Sequence, residues 1–176
     1  IEPRAHRRII RRKGHAIGDR RVVPRPLVGN GWSQCLVFRF IGLTFGAVIT
    51  HDDGAHWYWT CEDNIGYGGP YDPRYAISAD DGTIYAGTHN GMRVSRDGGC
   101  TFTDAPLRGC GEPGRPDDVW VDALDVASDG TVWIGTTETG LANAVFRSTD
   151  KAQTFQKMGL ESNRIWWKSL KVAPTD

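Results

Sequence analysis

The side chains best suited to chemistry are three arginines, a few carboxylates and several large aromatics. Arg74, Arg115 and Arg164 are candidates to hold a carboxylate, because a guanidinium offers a planar fork of donors. Asp117, Asp118 and Glu138 are candidate acids and bases for glycoside hydrolysis, which needs two carboxyl groups flanking the bond. Tyr67, Tyr71, Trp166 and Trp167 offer rings that stack on a sugar or anchor a protein. A strand through Trp166 and Trp167 exposes at most one of them. Asp117, Asp118 and Asp122 lack the spaced acidic loop with a central glycine that calcium favours. His51 and His56 sit inside a turn motif, where a structural role suffices. His89 stands in a polar loop and joins the ligand candidates.

Those residues hang on a repeated frame. Ser95-Arg96-Asp97-Gly98-Gly99-Cys100-Thr101-Phe102 reads Ser-x-Asp-x-Gly-x-Thr-Phe. The same frame runs from Thr50 through Asp52 and Gly54 to Trp57, with His56 for the threonine. It runs again from Ser148 through Asp150 to Phe155, with Ala152 for the glycine. A short hydroxyl and a nearby carboxylate accept main-chain N–H bonds within their own turn, and glycine tolerates positive φ. The closing aromatic is an apolar anchor leading into the next strand. Apolar stretches precede each frame at 46–50, 91–95 and 144–148, so each frame is expected to be a self-stapled β-hairpin turn. Asp81-Gly-Thr-Ile-Tyr-Ala-Gly-Thr88 also matches Asp129-Gly-Thr-Val-Trp-Ile-Gly-Thr136, forty-eight residues on. One period is therefore strand, Asp-Gly turn, strand, loop, strand, stapled turn, strand. Such a period means a propeller or a solenoid.

The frames resemble the Asp-box (BNR) repeat of β-propellers such as sialidases, xyloglucanases, sortilin-type receptors and photosystem-assembly factors. The resemblance covers roughly residues 36–176. Trp59-Thr60-Cys61-Glu62 and Gly99-Cys100 are also similar to uncharacterised bacterial secreted repeat proteins. The fold expected is all-β: a partial β-propeller of about three four-stranded blades. The blades fall at about 35–63, 73–107 and 120–160, with another starting at 168. The domain is 31–176, and the chain reads as a fragment or truncated product, since closed propellers usually have four to eight blades. The first blade looks abridged.

Propeller geometry puts the stapled turns and Asp-Gly turns on one face. The upper face receives residues 62–74, 88–91, 106–119, 136–143 and 159–168. The ligand-binding candidates there are Tyr67, Tyr71, Arg74, His89, Arg115, Arg164 and Trp166. The resemblance to sialidases implies an arginine triad, but the Arg-Ile-Pro-type motif is absent and no Tyr–Glu pair can be placed. A non-catalytic binding or scaffold module, recognising glycan or protein, is the function expected. A piece of a sialidase-like or xyloglucanase-like hydrolase is the alternative. No cofactor and no metal site is expected.

The net charge is zero, but it is divided. Residues 1–26 hold nine Lys or Arg against Glu2 and Asp19, a net +7, which leaves −7 for the remainder. Residues 1–30 read as a disordered basic leader. Nucleic-acid binding is not expected of it, because no aromatic residue is interleaved with the charges before Trp32. No apolar run is long enough to span a membrane, and no signal peptide is visible. Seven Trp and twenty-two Gly suit a turn-rich all-β chain. Cys35, Cys61, Cys100 and Cys110 form no Cys-x-x-Cys, so structural zinc is not expected. Four cysteines allow three complete pairings. Cys61–Cys100 is the disulfide candidate, because both lie at fixed places near the frames, and a disulfide implies an oxidising compartment. The location expected is extracellular or periplasmic.

Overall fold

A computed structural model describes residues 39–68, 71–107 and 119–173. The basic leader, Cys35, Cys110, Arg115, Asp117 and Asp118 lie outside the described residues. Eleven strands and one short helix occur among the described residues. The first sheet is β1 (Arg39–Leu43), β2 (Gly46–Thr50) and β3 (Tyr58–Cys61), followed by the helix α1 (Glu62–Ile65). The second is β4 (Arg74–Ile77), β5 (Ile84–Thr88), β6 (Gly91–Ser95) and β7 (Thr103–Ala105). The third is β8 (Val121–Val126), β9 (Val132–Thr136), β10 (Asn143–Ser148) and β11 (Gln156–Ser162). Each sheet is an antiparallel meander in sequence order, so each is one propeller blade. The first blade has three strands among the described residues. The strand expected to open near residue 168 does not form among 163–173. The Val172 N–H is taken instead by the Asp125 carboxylate at 2.7 Å.

The three repeated turns carry the same hydrogen bonds. In the second blade Ser95 Oγ donates to Asp97 Oδ1 at 2.8 Å and accepts the Gly99 N–H at 2.8 Å. Asp97 then accepts the Thr101 N–H at 2.9 Å and the Thr101 hydroxyl at 2.6 Å. In the third blade Ser148, Asp150, Ala152 and Thr154 repeat the arrangement. In the first, Thr50 donates to Asp52 and accepts the Gly54 N–H. His56 replaces the threonine, with Nδ1 2.5 Å from Asp52 Oδ2. Bonds from the His56 main chain and ring, then from Thr50, hold the Asp52 carboxyl down at about 2. The Thr154 hydroxyl does the most to bring Asp150 to about 2. The closing aromatics diverge. Phe155 is buried and Phe102 half-buried, but Trp57 is 45% exposed and is no core anchor.

Blades pack face to face through their alternating apolar side chains. Tyr85, Met92 and Val94 of the second blade meet Val121, Leu124, Ile134 and Phe146 of the third in one cluster. A smaller cluster joins Ala47 of the first blade to Ile65, Tyr67 and Ala86. Close approach explains the repeated Gly-Thr ending. A methyl at Gly87 would sit 2.6 Å from the Val121 carbonyl oxygen, on the next blade's first strand. A methyl at Gly135 would sit 2.6 Å from Trp167 Cβ. Trp167 thus occupies beside the third blade the place that Val121 occupies beside the second.

Gly99 has φ +89°, and a Cβ there would run into Ile49 Cδ1 of the first blade. Gly99→Ala should cost about 2 kcal/mol or more in urea unfolding, from backbone strain and overpacking together. The equivalent Ala152 already accepts φ 65° and is buried, so Ala152→Gly, which trades relief of strain against a lost methyl contact, should change stability by about 1 kcal/mol or less. The same turns respond to acid. The carboxyls of Asp52 and Asp150 fall from 3.8 to about 2 on folding, so their stabilisation is complete above the unfolded value and is lost as pH falls through that interval. Acid titration followed by circular dichroism should show stability falling between those values, and Asp150→Asn should flatten the slope.

Candidate functional site

The ends of the first strands and the loops beside them bring three rings together. Tyr71 lies in the link leading to β4, His89 in the tight turn between β5 and β6, and Trp120 just before β8. Tyr71 stacks on His89, with centroids 5.0 Å apart and planes 8° from parallel. Trp120 leans on both, 4.5 Å from Tyr71 and 5.2 Å from His89. Tyr71 and His89 are exposed and Trp120 is half-buried. Thr88 shapes the loop under His89. Its hydroxyl donates to the Gly91 carbonyl at 2.9 Å and accepts the Asn90 N–H at 3.2 Å. Lys168 closes the cluster, with Nζ 4.8 Å from the Trp120 ring centroid, a cation–π contact.

Beneath the rings lies a buried carboxylate. Asp122 is 3% exposed and its two oxygens are divided between two cations. Arg74 Nε donates to Oδ1 at 2.9 Å, and Lys168 Nζ to Oδ2 at 2.6 Å. Arg74 opens β4 and Asp122 lies at the start of β8, so the pair joins the first strands of neighbouring blades. Glu138 closes the other side. It accepts the Trp120 N–H on Oε2 at 3.4 Å and the Thr139 N–H on Oε1 at 3.0 Å. The buried Asn143 amide donates to the Glu138 and Ile165 carbonyls, and the Thr137 hydroxyl donates to the Trp167 carbonyl. These bonds moor the link of residues 163–168 to the end of the third blade.

The candidates read from sequence separate accordingly. Tyr71 and His89 join one cluster, and Arg74 lies beside it as a partner of Asp122. Tyr67 does not line a face. It is 6% exposed, packed in the cluster with Ala47 and Ala86, and its hydroxyl has no partner among the described residues. The Gly-rich loop that was expected to display it is drawn inward behind the helix at 62–65, where Tyr67 N–H bonds the Glu62 carbonyl. Arg164 and Trp166 are exposed in the 163–168 link, outside the ring contacts. Trp166 is 52% exposed, while Trp167 packs against Gly135. Cys61 and Cys100 are free thiols, so the expected disulfide is not present. The contact between their segments is made by the Asn64 amide, which donates to Thr60 Oγ1 and to the Cys100 carbonyl. Trp120 and Lys168 are the members that sequence reasoning missed. Trp120 read as a blade boundary and Lys168 as part of an opening strand. No three His, Cys, Asp or Glu side chains converge as metal ligands among the described residues.

No protein-family model and no curated protein sequence matches this chain. Solved structures do. An ancestral GH74 enzyme superposes over 74% of this chain with a TM-score of 0.51 and 17% identity. PorZ, a surface component of the type-IX secretion system of Porphyromonas gingivalis, covers 69% with a TM-score of 0.48 and 18% identity. The chain spans 18% of the length of each. The likeness to the GH74 enzyme shows the propeller-type fold. No helix among the described residues is long and apolar enough to cross a membrane.

The buried carboxylate gives the prediction here. Asp122→Asn keeps the shape but leaves Arg74 and Lys168 without a counter-charge. Both cations are about half exposed, so water softens the loss. The variant should lose about 1–3 kcal/mol in urea unfolding, and the added loss from Arg74→Gln in that background should be smaller than in the parent.

Proposed function

We propose that this chain is a non-catalytic binding module of a propeller protein, working outside the cytoplasm, and that it recognises glycan. The observation that carries the reading is the exposed cluster of Tyr71, His89 and Trp120. Rings already packed on one another lose little conformational freedom when a ligand arrives, so stacking energy is retained as affinity. Polar donors stand close by in Arg74 and Lys168. The location outside the cytoplasm follows the resemblance of the repeated turns to Asp-box repeats of secreted proteins.

A hydrolytic role has less support. The Asp122 carboxylate is held by two cations, and Glu138 by two main-chain N–H groups. Both carboxylates are engaged by partners within the chain. The turn aspartates lie at the opposite ends of their strands, engaged in their own hairpins. Sialidase-like binding by an arginine triad also lacks support, since Arg74 is committed to Asp122 and Arg164 stands apart from it.

Calorimetric titration with a panel of oligosaccharides tests the reading, alongside a hydrolysis assay on the same panel. Binding without turnover is expected. Tyr71→Ala should weaken it about tenfold, the worth of one stacked ring. Turnover of a glycoside, or equal affinity in Tyr71→Ala, would reject the reading.

A further inference from the structure

The first blade is exposed where the other two are buried. β1, β5 and β9 are equivalent strands, since each leads into the strand that carries a stapled turn. β5 is buried throughout and β9 nearly so, whereas four of the five residues of β1 are exposed. β5 and β9 are each flanked by the strand before them, β4 or β8. Among the described residues β1 pairs with β2 alone, so its other edge offers unpaired main-chain N–H and C=O groups. A groove of about 1010 Å³ is lined there by residues 39–42 and by residues 73–77 of the second blade. Ile41 pairs with Val48, and Val48 with Trp59, which sets three apolar residues in a row on one face. Ile134 and Phe146 pair in the same way on the third blade and are buried against the second. Ile41 is 49% exposed and Trp59 65%.

The link after the third blade has the opposite deficiency. Trp167 packs on Gly135 as Val121 packs on Gly87. Lys168 donates to Asp122, and Lys171 to Asp125, both on β8. Residues 167–172 thus lie beside β8 where a further blade would place its first strand, and they join no sheet among the described residues. Counting on from Trp167 as β8 counts on from Val121, Leu170 stands for Leu124 and Val172 for Val126. Leu124 pairs with Ile134, and Val126 with Val132. The corresponding partners on the first blade are Ile41 and Arg39. The open face of the third blade also leaves Trp133 and Val145 half-buried, where Tyr85 and Met92 of the second blade are fully covered. A blade without its first strand and a first strand without a blade are complementary.

We infer that two copies of this chain assemble head to tail. Residues 168–172 of each copy pair antiparallel with β1 of the other, with Leu170 opposite Ile41. The face of Trp133 and Val145 then covers the face of Ile41, Val48 and Trp59. The contact repeats between copies the packing that joins the second blade to the third within one. Strand addition draws affinity from main-chain bonds and register from alternate side chains. Arg39, Arg74, Lys168 and Lys171 each have a carboxylate partner in their own chain, so the contact buries no cation alone. Two copies of three sheets make six blades, within the range of about four to eight at which propellers close. The inference is independent of the glycan reading.

Sedimentation equilibrium of the full chain should show a dimer. Trp59→Lys should weaken it at least about thirtyfold, the effect of one interfacial hot spot. Trp59 lies outside the core, and near-ultraviolet circular dichroism verifies that the variant folds. Val145→Lys should weaken the dimer alike. A mixture of the two variants should associate more tightly than either alone, because it restores one intact contact. A benzophenone placed at Ile41, in a mixture of isotope-labelled and unlabelled chains, should capture a peptide containing Leu170 from the other copy. A monomer at every concentration, a species larger than a dimer, a mixture no tighter than its components, or capture only within one chain would overturn the inference.

Discussion

Each blade depends on a carboxylate folded back into its own turn. Asp97 is held by the hydroxyl of Ser95 and by both the N–H and hydroxyl of Thr101. The hairpin between the last two strands of the blade is therefore closed by bonds within its own turn. The same bonds hold Asp150, and nearly the same hold Asp52. This end of the blade is committed to structure, and the other end carries different groups. The loops there carry the rings, the cations and the buried carboxylate.

The second constraint is how closely blades approach. Gly87 and Gly135 have no room for a side chain, since the chain that follows lies directly against them. That approach brings β4 beside β8 and lets Arg74 reach Asp122 on the neighbouring blade. Asp122 in turn holds Lys168, and Lys168 lies over Trp120. The ring cluster is thus fixed through an ionic path that crosses from the second blade to the link after the third. On the opposite face Lys151 reaches Asp81 at 2.5 Å, and Arg96 bonds the Lys151 carbonyl at 3.1 Å. The second and third blades are thus tied at both ends.

Much of the fold could be read from the chain because its signals are local. A hydroxyl two residues before a carboxylate, an alternating strand and a glycine at a fixed distance all act within one hairpin. The strands at 46–50 and 91–95 fall where the alternation puts them. Contacts between blades were less legible. Nothing near Trp120 in sequence announces Tyr71, His89 or Lys168, which come from three separate segments. Tyr67 and Tyr71 share one Gly-rich loop and differ in fate only because the helix at 62–65 draws the first inward. Trp57 occupies the position of Phe155 in its frame, but no core cluster among the described residues includes it. The Cys61–Cys100 pairing was drawn from sequence positions alone, and the side chain that joins those segments is Asn64.

The central claim is a division of labour between the two ends of the blades. Nuclear magnetic resonance of the labelled chain, titrated with the tightest-binding oligosaccharide of the panel, tests it most directly. The account predicts shifts at Tyr71, His89, Trp120 and Arg74, with Asp97 and Asp150 and their turn amides unmoved. Shifts centred on the turns of Asp97 and Asp150, with the rings of Tyr71 and Trp120 unmoved, would contradict it.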